Sequence, residues 1–218
     1  MAKLNLDGQL YCLTSEEHSN GRTVIETAEA MLAGGARILQ YREKNKHKRA
    51  KHEECLLLRR LMKKRGCLFI VNDDLDIALA VKADGVHLGQ DDMPLEAARE
   101  LTGPKMIIGI STHNPAQARA AVQGGADYIG VGPIYATKTK KDVCPAVGLE
   151  YLDYAVRNVN IPFVAIGGIK LRNLSEVLAR GARCVAMVTE ITGAPDIAAA
   201  VRAASGRLRF SRRSGRRG

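Results

Sequence analysis

Leu68-Phe69-Ile70-Val71-Asn72-Asp73-Asp74 and Gly85-Val86-His87-Leu88-Gly89-Gln90-Asp91-Asp92 are the two stretches that decide the fold of this chain. Each begins as a short, almost continuously apolar run and ends in polar, mostly acidic residues. Such a run is typical of a parallel strand that is covered on both faces, because a parallel sheet is buried between helices or inside a barrel. We therefore predict two parallel strands, each followed by a polar loop.

Runs of the same kind recur along the whole chain, and there are eight of them. They cover residues 10–14, 36–41, 68–72, 85–88, 106–111, 128–132, 163–167 and 184–188. The segments between them have helical periodicity; for example, the apolar residues at 24, 25, 28, 31 and 32 share one helix face. Strand and helix therefore alternate, which is typical of an α/β protein.

A weak internal repeat favours closure of the sheet into a barrel. A Gly-Ala turn or a similar turn precedes every second strand, with its alanine at positions 36, 83, 126 and 182. These spacings are close to two strand-helix units, since eight units would average about 27 residues each in this chain. The predicted fold class is α/β, a single (β/α)₈ (TIM) barrel. A doubly wound open sheet is the alternative, because spacing alone does not show closure.

The composition agrees with one large domain. The chain has 218 residues, of which 46% are hydrophobic and 26% are charged, which is enough to bury a sizeable core. No apolar run approaches the roughly 18 residues of a membrane span, and the first residues lack the apolar stretch of a signal peptide. We therefore expect a cytoplasmic protein without a membrane partner. Five dispersed cysteines without a Cys-x-x-Cys pair indicate neither a disulfide framework nor a zinc site.

The net charge of +10 is concentrated at the C-terminal end. Six arginines lie between positions 207 and 217 with no acidic residue among them, so the rest of the chain is only mildly basic. We predict a catalytic barrel domain over residues 1–205 and a basic, Arg-rich, disordered tail over residues 206–218. Such a tail could touch nucleic acid electrostatically. A solvated tail is the simpler interpretation, and nucleic acid is not among the expected partners.

In a (β/α)₈ barrel the active site lies at the carboxyl ends of the strands. In this chain the predicted loops at those ends carry many polar residues and glycines, which makes them the candidate site. In strand order they are Gln40, Arg42 and Lys44; Asn72 and Asp73; Asp92; Ser111 and His113; Thr137, Thr139 and Lys140; Gly168; and Val188 and Thr189.

The carboxylates of Asp73 and Asp92 follow neighbouring strands and could share one divalent ion. Mg²⁺ typically takes one or two protein carboxylates together with phosphate oxygens of a substrate, so this pair predicts Mg²⁺ and a phosphorylated or pyrophosphorylated ligand. Cations in nearby loops would neutralise the phosphate charge and two amides would orient the ligand: Arg42, Lys44 and Lys140, and Gln40 and Asn72. Alternatively, each of these is an ordinary solvated loop residue.

A second phosphate site is predicted after strands seven and eight. Gly167-Gly168 and Val188-Thr189 fit the place where many barrels bind an anion with backbone N–H groups, and Thr137 and Thr139 would add hydroxyl donors. The two glycines could equally serve only a tight turn.

His113 is the remaining candidate acid or base. Alternatively, its ring only hydrogen-bonds its own loop. His87 lies within a strand and is interpreted as an interior residue. Cys144 has no identifiable base, so no cysteine nucleophile is proposed.

Several of these strings resemble those of the thiamine-phosphate synthase (thiamine-phosphate pyrophosphorylase) family, and the resemblance spans residues 10–191. The strings are Gln40-Tyr41-Arg42-Glu43-Lys44, Asn72-Asp73-Asp74, His87-Leu88-Gly89-Gln90-Asp91-Asp92, Gly130-Val131-Gly132-Pro133-Ile134-Tyr135-Ala136-Thr137-Lys138-Thr139-Lys140 and Ala165-Ile166-Gly167-Gly168-Ile169.

The resemblance implies a transferase of thiamine biosynthesis. It would condense 4-amino-5-hydroxymethyl-2-methylpyrimidine diphosphate with thiazole ethyl phosphate, or its carboxylated form, to give thiamine phosphate and pyrophosphate. By motif match, the pyrimidine diphosphate would be bound by Gln40, Arg42, Lys44, Asn72, Ser111 and Lys140, the thiazole phosphate by Thr137, Thr139, Gly168, Val188 and Thr189, and Mg²⁺ by Asp73 and Asp92. The implied partners are thus two phosphorylated small molecules. A homo-oligomer of this chain is also compatible with the resemblance.

The implied reaction depends on the departure of pyrophosphate as the leaving group. Mg²⁺ and the cations neutralise charge where pyrophosphate departs, and the thiazole nitrogen captures the resulting pyrimidine cation. Arg42, Lys44, Ser111 and Lys140 are the catalytic candidates, and no covalent nucleophile is needed. Thr189 stands where the family usually has Ser, which keeps the hydroxyl.

Two other functions compete with this one. A related thiazole tautomerase branch shares the barrel and would need His113 as a proton shuttle, but it would not need the two carboxylates. A barrel that only binds phosphate ligands or nucleic acid through its basic end would show salt-dependent binding without turnover.

Overall fold

The structure is a computed structural model that describes residues 4–137, 139 and 144–214, with the backbone alone for 211–214. Within these residues, eight parallel strands pair in sequence order and close into a barrel. The predicted (β/α)₈ barrel is therefore confirmed, and the open sheet is wrong. The strands are β1 Gln9–Leu13, β2 Ile38–Tyr41, β3 Leu68–Asn72, β4 Gly85–Leu88, β5 Ile107–Thr112, β6 Tyr128–Val131, β7 Phe163–Ala165 and β8 Cys184–Met187.

Helices alternate with the strands and cover the outside of the barrel. They are α1 Val24–Ala33, α2 Lys48–Lys64, α3 Leu75–Ala80, α4 Leu95–Thr102, α5 Pro115–Gln123, α6 Gly148–Asn158, α7 Leu171–Ala179, the short α8 Thr189–Thr192 and α9 Ile197–Ser214. A 3₁₀ turn at Glu16–His18 precedes α1. None of the helices in the described residues combines the length and apolarity that a bilayer crossing requires.

The strand ends differ from the predicted ones by at most two residues. Strand β7 ends at Ala165 and not at the predicted position 167, because Gly167 has a φ of +98°, a left-handed backbone that a strand does not contain. Strand β2 likewise starts at Ile38, two residues after the predicted start.

The apolar side chains form two layers. One fills the barrel interior and includes Tyr11, Ile38, Ile70, Tyr128 and Val164. The other lies between the barrel and its helices. Since successive side chains of a strand point to opposite sides, strands buried in both layers must be continuously apolar, and this is the pattern that the sequence shows.

The helix signals in the sequence mark real boundaries. The side chain of Asn114 accepts a hydrogen bond from the backbone N–H of Gln117 at 3.0 Å, and Pro115 opens α5, as an N-cap and a first-turn proline do. Helices α1 and α5 end against Gly34 and Gly124.

The C-terminal boundary predicted at residue 206 needs correction. Helix α9 continues to Ser214, and Leu208 is only 2% exposed within the outer layer. The Arg207 guanidinium also donates to the backbone carbonyl of Leu171. Residues 206–214 are thus helical and partly packed on the barrel, while the rest of the predicted tail, 215–218, lies outside the described residues.

The packing of α9 predicts different effects on stability for two apolar residues of this helix. We expect Leu208→Ala to lower the free energy of unfolding by about 2–4 kcal/mol, because it removes a fully packed side chain. Phe210 is 74% exposed, so Phe210→Ala should lower the free energy of unfolding by less than Leu208→Ala does. Urea titration of both variants checks this; equal effects would mean that the helix does not pack as described.

Candidate active site

The register of the barrel brings the carboxyl ends of the strands to one face. Gln40 pairs with Ile70, Asn72 with His87, and Ser111 with Gly130. The loops that follow β2 to β8 therefore surround a single mouth, as expected for this fold.

Arg42 is held in place by the loop after β1. Its backbone N–H donates to the hydroxyl of the fully buried Thr14 at 2.9 Å. The neighbouring carboxylate of Glu43 accepts the backbone N–H of Glu16, at 3.2 and 3.1 Å for its two oxygens. Burial lowers the pKa of the Arg42 guanidinium, although Asp73, Glu43 and Glu17 act to raise it. Burial also raises the pKa of Glu43.

Asp73 and Asp92 lie close enough for each carboxyl group to shift the pKa of the other. Lys44 forms an ion pair with Asp73. The backbone N–H of Gly89 donates to Oδ2 of Asp92 at 2.7 Å. Asp73 has a φ of +60°, in the left-handed region that residues other than glycine rarely adopt. Strained backbone of this kind tends to cluster at functional sites.

The two carboxyl groups differ in their proton affinity. Burial acts to raise the pKa of Asp73, but the Lys44 ammonium and the hydrogen bond with Asp92 outweigh it, and the pKa is lowered. The pKa of Asp92 is raised by burial and by the carboxylate of Asp73, against the hydrogen bond from Gly89. One carboxylate is thus neutralised by a lysine, while its neighbour is crowded by like charge.

This acidic pair fits a Mg²⁺ ion that is shared with a substrate. Among the described residues, no three His, Cys, Asp or Glu side chains gather into a cage for a metal. Two adjacent carboxylates are nevertheless the number that a protein commonly supplies to Mg²⁺ when phosphate oxygens and waters complete the shell. A divalent cation would also relieve the repulsion that the raised pKa of Asp92 reports.

Gln40 and Ser111 are connected through the barrel interior. Gln40 Nε2 donates to the Tyr11 hydroxyl at 3.1 Å, and this hydroxyl lies 2.7 Å from that of Tyr128. The Tyr128 hydroxyl lies 3.0 Å from Nδ1 of His87, whose Nε2 lies 2.9 Å from the Ser111 hydroxyl. The interior position of His87 was predicted from the sequence, whereas the roles of Tyr11 and Tyr128 were not.

The predicted second phosphate site has the required backbone at Gly168. Its φ is +63°, and an added Cβ would lie 2.7–2.9 Å from Cβ and O of Tyr135 and O of Ala136. Only glycine fits there without a shift of the loop after β6. The Gly168 carbonyl accepts from the Asn173 side chain at 3.1 Å, and its N–H has no partner among the described residues.

The other residues predicted for the second site lie in the loop after β6 and at the end of β8. Val188 and Thr189 are half-buried where β8 passes into α8. The hydroxyls of Thr137 and Thr139 lie 3.0 Å apart in the loop after β6. Lys140, a candidate for both substrate binding and catalysis, lies outside the described residues.

His113 forms hydrogen bonds with the first turn of α5 and with the loop after β6. Its Nδ1 lies 2.6 Å from the backbone carbonyl of Gly132, and its backbone N–H donates to the side chain of Gln117. The ring therefore joins the loops after β5 and β6. All five cysteines are free, and four of them are buried.

Two positioning contacts were not predicted, those of Thr14 and Glu43. The sequence gives a weak signal for Glu43, an acid directly between two candidate cations. It gives none for Thr14, because the contact depends on how the loops after β1 and β2 meet.

The Gly168 geometry predicts that even the smallest side chain disturbs this loop. In Gly168→Ala we expect the KM for a phosphorylated substrate bound at this loop to rise on the order of tenfold to a hundredfold, because the Cβ displaces the loop after β6. Gly35→Ala is the matched control, since Gly35 has a φ of +95° but open space around it. Both variants carry backbone strain, so steady-state kinetics should separate them; similar KM values would argue against the site.

Comparisons with known proteins agree with this geometry. A family model described as thiamine monophosphate synthase matches residues 10–191. The thiamine-phosphate synthase of Pelotomaculum thermopropionicum is 60% identical over 198 residues, which cover 91% of each chain. The thiamine-phosphate synthase of Lawsonia intracellularis is 53% identical and covers 88% of this chain and 89% of its own.

A solved structure is similar over almost the whole length. The thiamine phosphate pyrophosphorylase from Pyrococcus furiosus superposes with a TM-score of 0.86 at 37% identity, covering 93% of this chain and 96% of its own. The region that the family model matches begins within β1 and ends within α8, so it includes all the loops that carry the candidate site.

Proposed function

The chain belongs to the thiamine monophosphate synthase family, and from this premise we propose that it transfers an aminopyrimidine group from its diphosphate to the nitrogen of thiazole ethyl phosphate. The products are thiamine phosphate and pyrophosphate. The observation that carries the proposal is the geometry of one barrel mouth: Asp73 and Asp92 lie there with Lys44 paired to Asp73, and the loop after β7 presents the left-handed backbone of Gly168.

The first substrate binds on the side of β2 to β5. Arg42 and Lys44 face the diphosphate, together with Lys140, and the side chains of Gln40, Asn72 and Ser111 bind the pyrimidine end. Arg42 suits this task because its burial has already removed water from the guanidinium, so an anionic partner gains more from it than it would in solvent.

Mg²⁺ held by Asp73 and Asp92 would supply charge neutralisation at the diphosphate. The chain's own cations share this role, since Arg42 and Lys44 stabilise charge where it develops as the leaving group departs. The chain also excludes competing water by burying the base of the site, where Gln40 is only 3% exposed.

The second substrate binds on the side of β6 to β8. The N–H of Gly168 and the backbone and hydroxyl of Thr189 receive its phosphate, with Val188, Thr137 and Thr139 around it. This arrangement holds the thiazole nitrogen facing the carbon that loses pyrophosphate, and such positioning favours capture over reaction with water.

The alternatives explain fewer of the observations. A tautomerase would need His113 as a proton shuttle and would leave the acidic pair without a purpose. A phosphate- or nucleic-acid-binding barrel with a basic tail is disfavoured because part of that tail packs on the barrel. A cytoplasmic location is part of the same proposal.

The experiment is an assay of the purified protein with both substrates, with and without Mg²⁺. We expect pyrophosphate and thiamine phosphate to appear in equal amounts only when the metal is present, and the two forms of the thiazole phosphate can be compared directly. A folded protein that binds thiazole phosphate but forms neither product would reject the synthase and favour the tautomerase.

A further inference from the structure

A continuous chain of hydrogen bonds crosses the interior of the barrel, from Gln40 on β2 to Ser111 on β5. It passes through the hydroxyls of Tyr11 and Tyr128 and the ring of His87, and each of its four contacts measures between 2.7 and 3.1 Å. We call these five residues the interior chain. Both ends are residues assigned above to the pyrimidine, whereas the three middle residues have no role in that assignment.

The barrel is built to hold this chain. Tyr11 and Tyr128 are 3% and 1% exposed, and the Tyr128 ring crosses the space that a side chain at Gly109 would take. A Cβ at Gly109 would lie 2.1 Å from the Tyr128 ring, although the backbone there is not in the left-handed region. A Cβ at Gly130 would lie 3.4 Å from the His87 ring. Glycine is therefore required at position 109 to make room for the Tyr128 ring, whereas a Cβ at position 130 would make only an ordinary contact with the His87 ring.

The orientation of the Gln40 amide sets the direction of the protons along the chain. Gln40 Nε2 carries only hydrogens, so Tyr11 accepts from it. The Tyr11 hydrogen then has Tyr128 as its one acceptor among the described residues. The Tyr128 hydrogen must go to His87 Nδ1, which makes the neutral ring the Nε2–H tautomer and a donor to Ser111. In the opposite direction, the buried Tyr11 hydroxyl would point its hydrogen at Gln40 Nε2, which cannot accept it. That direction therefore requires the Gln40 amide to turn round.

This direction fixes what the two ends present to a ligand. With Nε2 of Gln40 facing the tyrosines, its Oε1 is the acceptor that remains for the ligand. With Ser111 Oγ accepting from His87, the serine hydroxyl hydrogen is available as a donor. An acceptor at Gln40 matches the exocyclic amino group of an aminopyrimidine and repels an oxo group at the same ring position.

We propose that Tyr128 and His87 are positioning residues that set the proton direction of the interior chain, and that this direction makes the site specific for an aminopyrimidine over its oxo analogue. The proposal rests on the proposed function, because it takes the pyrimidine to lie between Gln40 and Ser111.

The kinetic test breaks the chain at its centre with Tyr128→Phe, which keeps the ring and removes one hydroxyl. Tyr11 then loses its acceptor and reverses, donating to Oε1 of a turned Gln40 amide. We expect the KM for the aminopyrimidine diphosphate to rise about tenfold and the preference over the oxo analogue to fall about tenfold. The KM for the thiazole phosphate should stay unchanged.

Tyr151→Phe is the matched control. It also removes a buried tyrosine hydroxyl, which donates to Thr112 at 2.6 Å outside the interior chain. This variant should retain the preference for the aminopyrimidine. If both variants lose the preference equally, or if neither loses it, the proposal is overturned.

A second measurement needs no substrate. ¹⁵N spectra of the wild-type protein at about pH 8, where free imidazole is neutral, report which ring nitrogen of His87 carries the proton, and a His87→Gln spectrum assigns the signal. We expect the Nε2–H tautomer. An Nδ1–H tautomer or a charged ring would overturn the proposal. Failure of the proposed function would instead be seen as a wild-type protein that forms no product while this tautomer is present.

Discussion

Asp92→Asn should lower Mg²⁺-dependent turnover on the order of a hundredfold or more while leaving the protein at least as stable as before. The side chain keeps its shape and one oxygen that can accept the Gly89 N–H, at present 2.7 Å from Oδ2. What it loses is the negative charge that a divalent cation requires. Because the loss is confined to charge, a large fall in activity would identify Asp92 as a metal ligand and not as a structural cap.

The stability prediction follows from the raised pKa of Asp92. A carboxyl whose pKa is raised by folding binds its proton more tightly in the folded state, so its ionised form opposes folding at neutral pH. The amide has no such charge, and the repulsion with Asp73 disappears. We therefore expect thermal unfolding at neutral pH without added metal to occur at the same temperature or a higher one.

Asp91→Asn is the control for this variant. Asp91 is exposed and directly precedes Asp92, so it changes the net charge of the same loop equally. Titration of activity with Mg²⁺ should show a wild-type response for Asp91→Asn. An Asp92→Asn protein with normal turnover would rule out the assigned ligand, and a variant that unfolds readily would show that the carboxylate mainly supports the loop.

Most of the fold could be predicted from the sequence because burial on both faces makes each strand a continuous apolar run. All eight runs correspond to strands, since the signal is local and is repeated. The C-terminal end was predicted less well because arginines dominate its composition. A helical signal was present there nevertheless: Val201, Ala204 and Leu208 are spaced three and four residues apart and are all buried.

Some residues of the candidate site could likewise be predicted from the sequence, and others could not. Positions at strand ends follow from the fold class, so Asp73 and Asp92 could be placed together before any coordinates. The interior chain could not, because it depends on which side chains of five strands point inward and on the register between them. Gly109 shows the difficulty: it has an ordinary backbone, and only the ring of Tyr128 on the adjacent strand explains why it is glycine.

Arg42→Met should reduce kcat on the order of a thousandfold with little change in stability, because a preorganised donor that meets developing charge accounts for a loss of this size. Methionine fills much of the volume of the arginine stem and removes only the cationic head. The backbone N–H of residue 42 still donates to Thr14, so the loop after β2 should keep its conformation.

The expectation that stability is retained comes from the lowered pKa of Arg42. Burial disfavours the charged guanidinium in the folded protein more than the nearby carboxylates favour it, so the charge itself opposes folding. Its removal leaves Glu43 and Asp73 with less positive charge nearby, and Lys44 still pairs with Asp73. Arg37→Met is the control, since Arg37 is exposed just before the other end of β2. Turnover and thermal unfolding should be measured for both variants. We expect both proteins to be folded and only Arg42→Met to lose activity, because its guanidinium contacts the leaving diphosphate. Equal activities would remove Arg42 from the proposed mechanism.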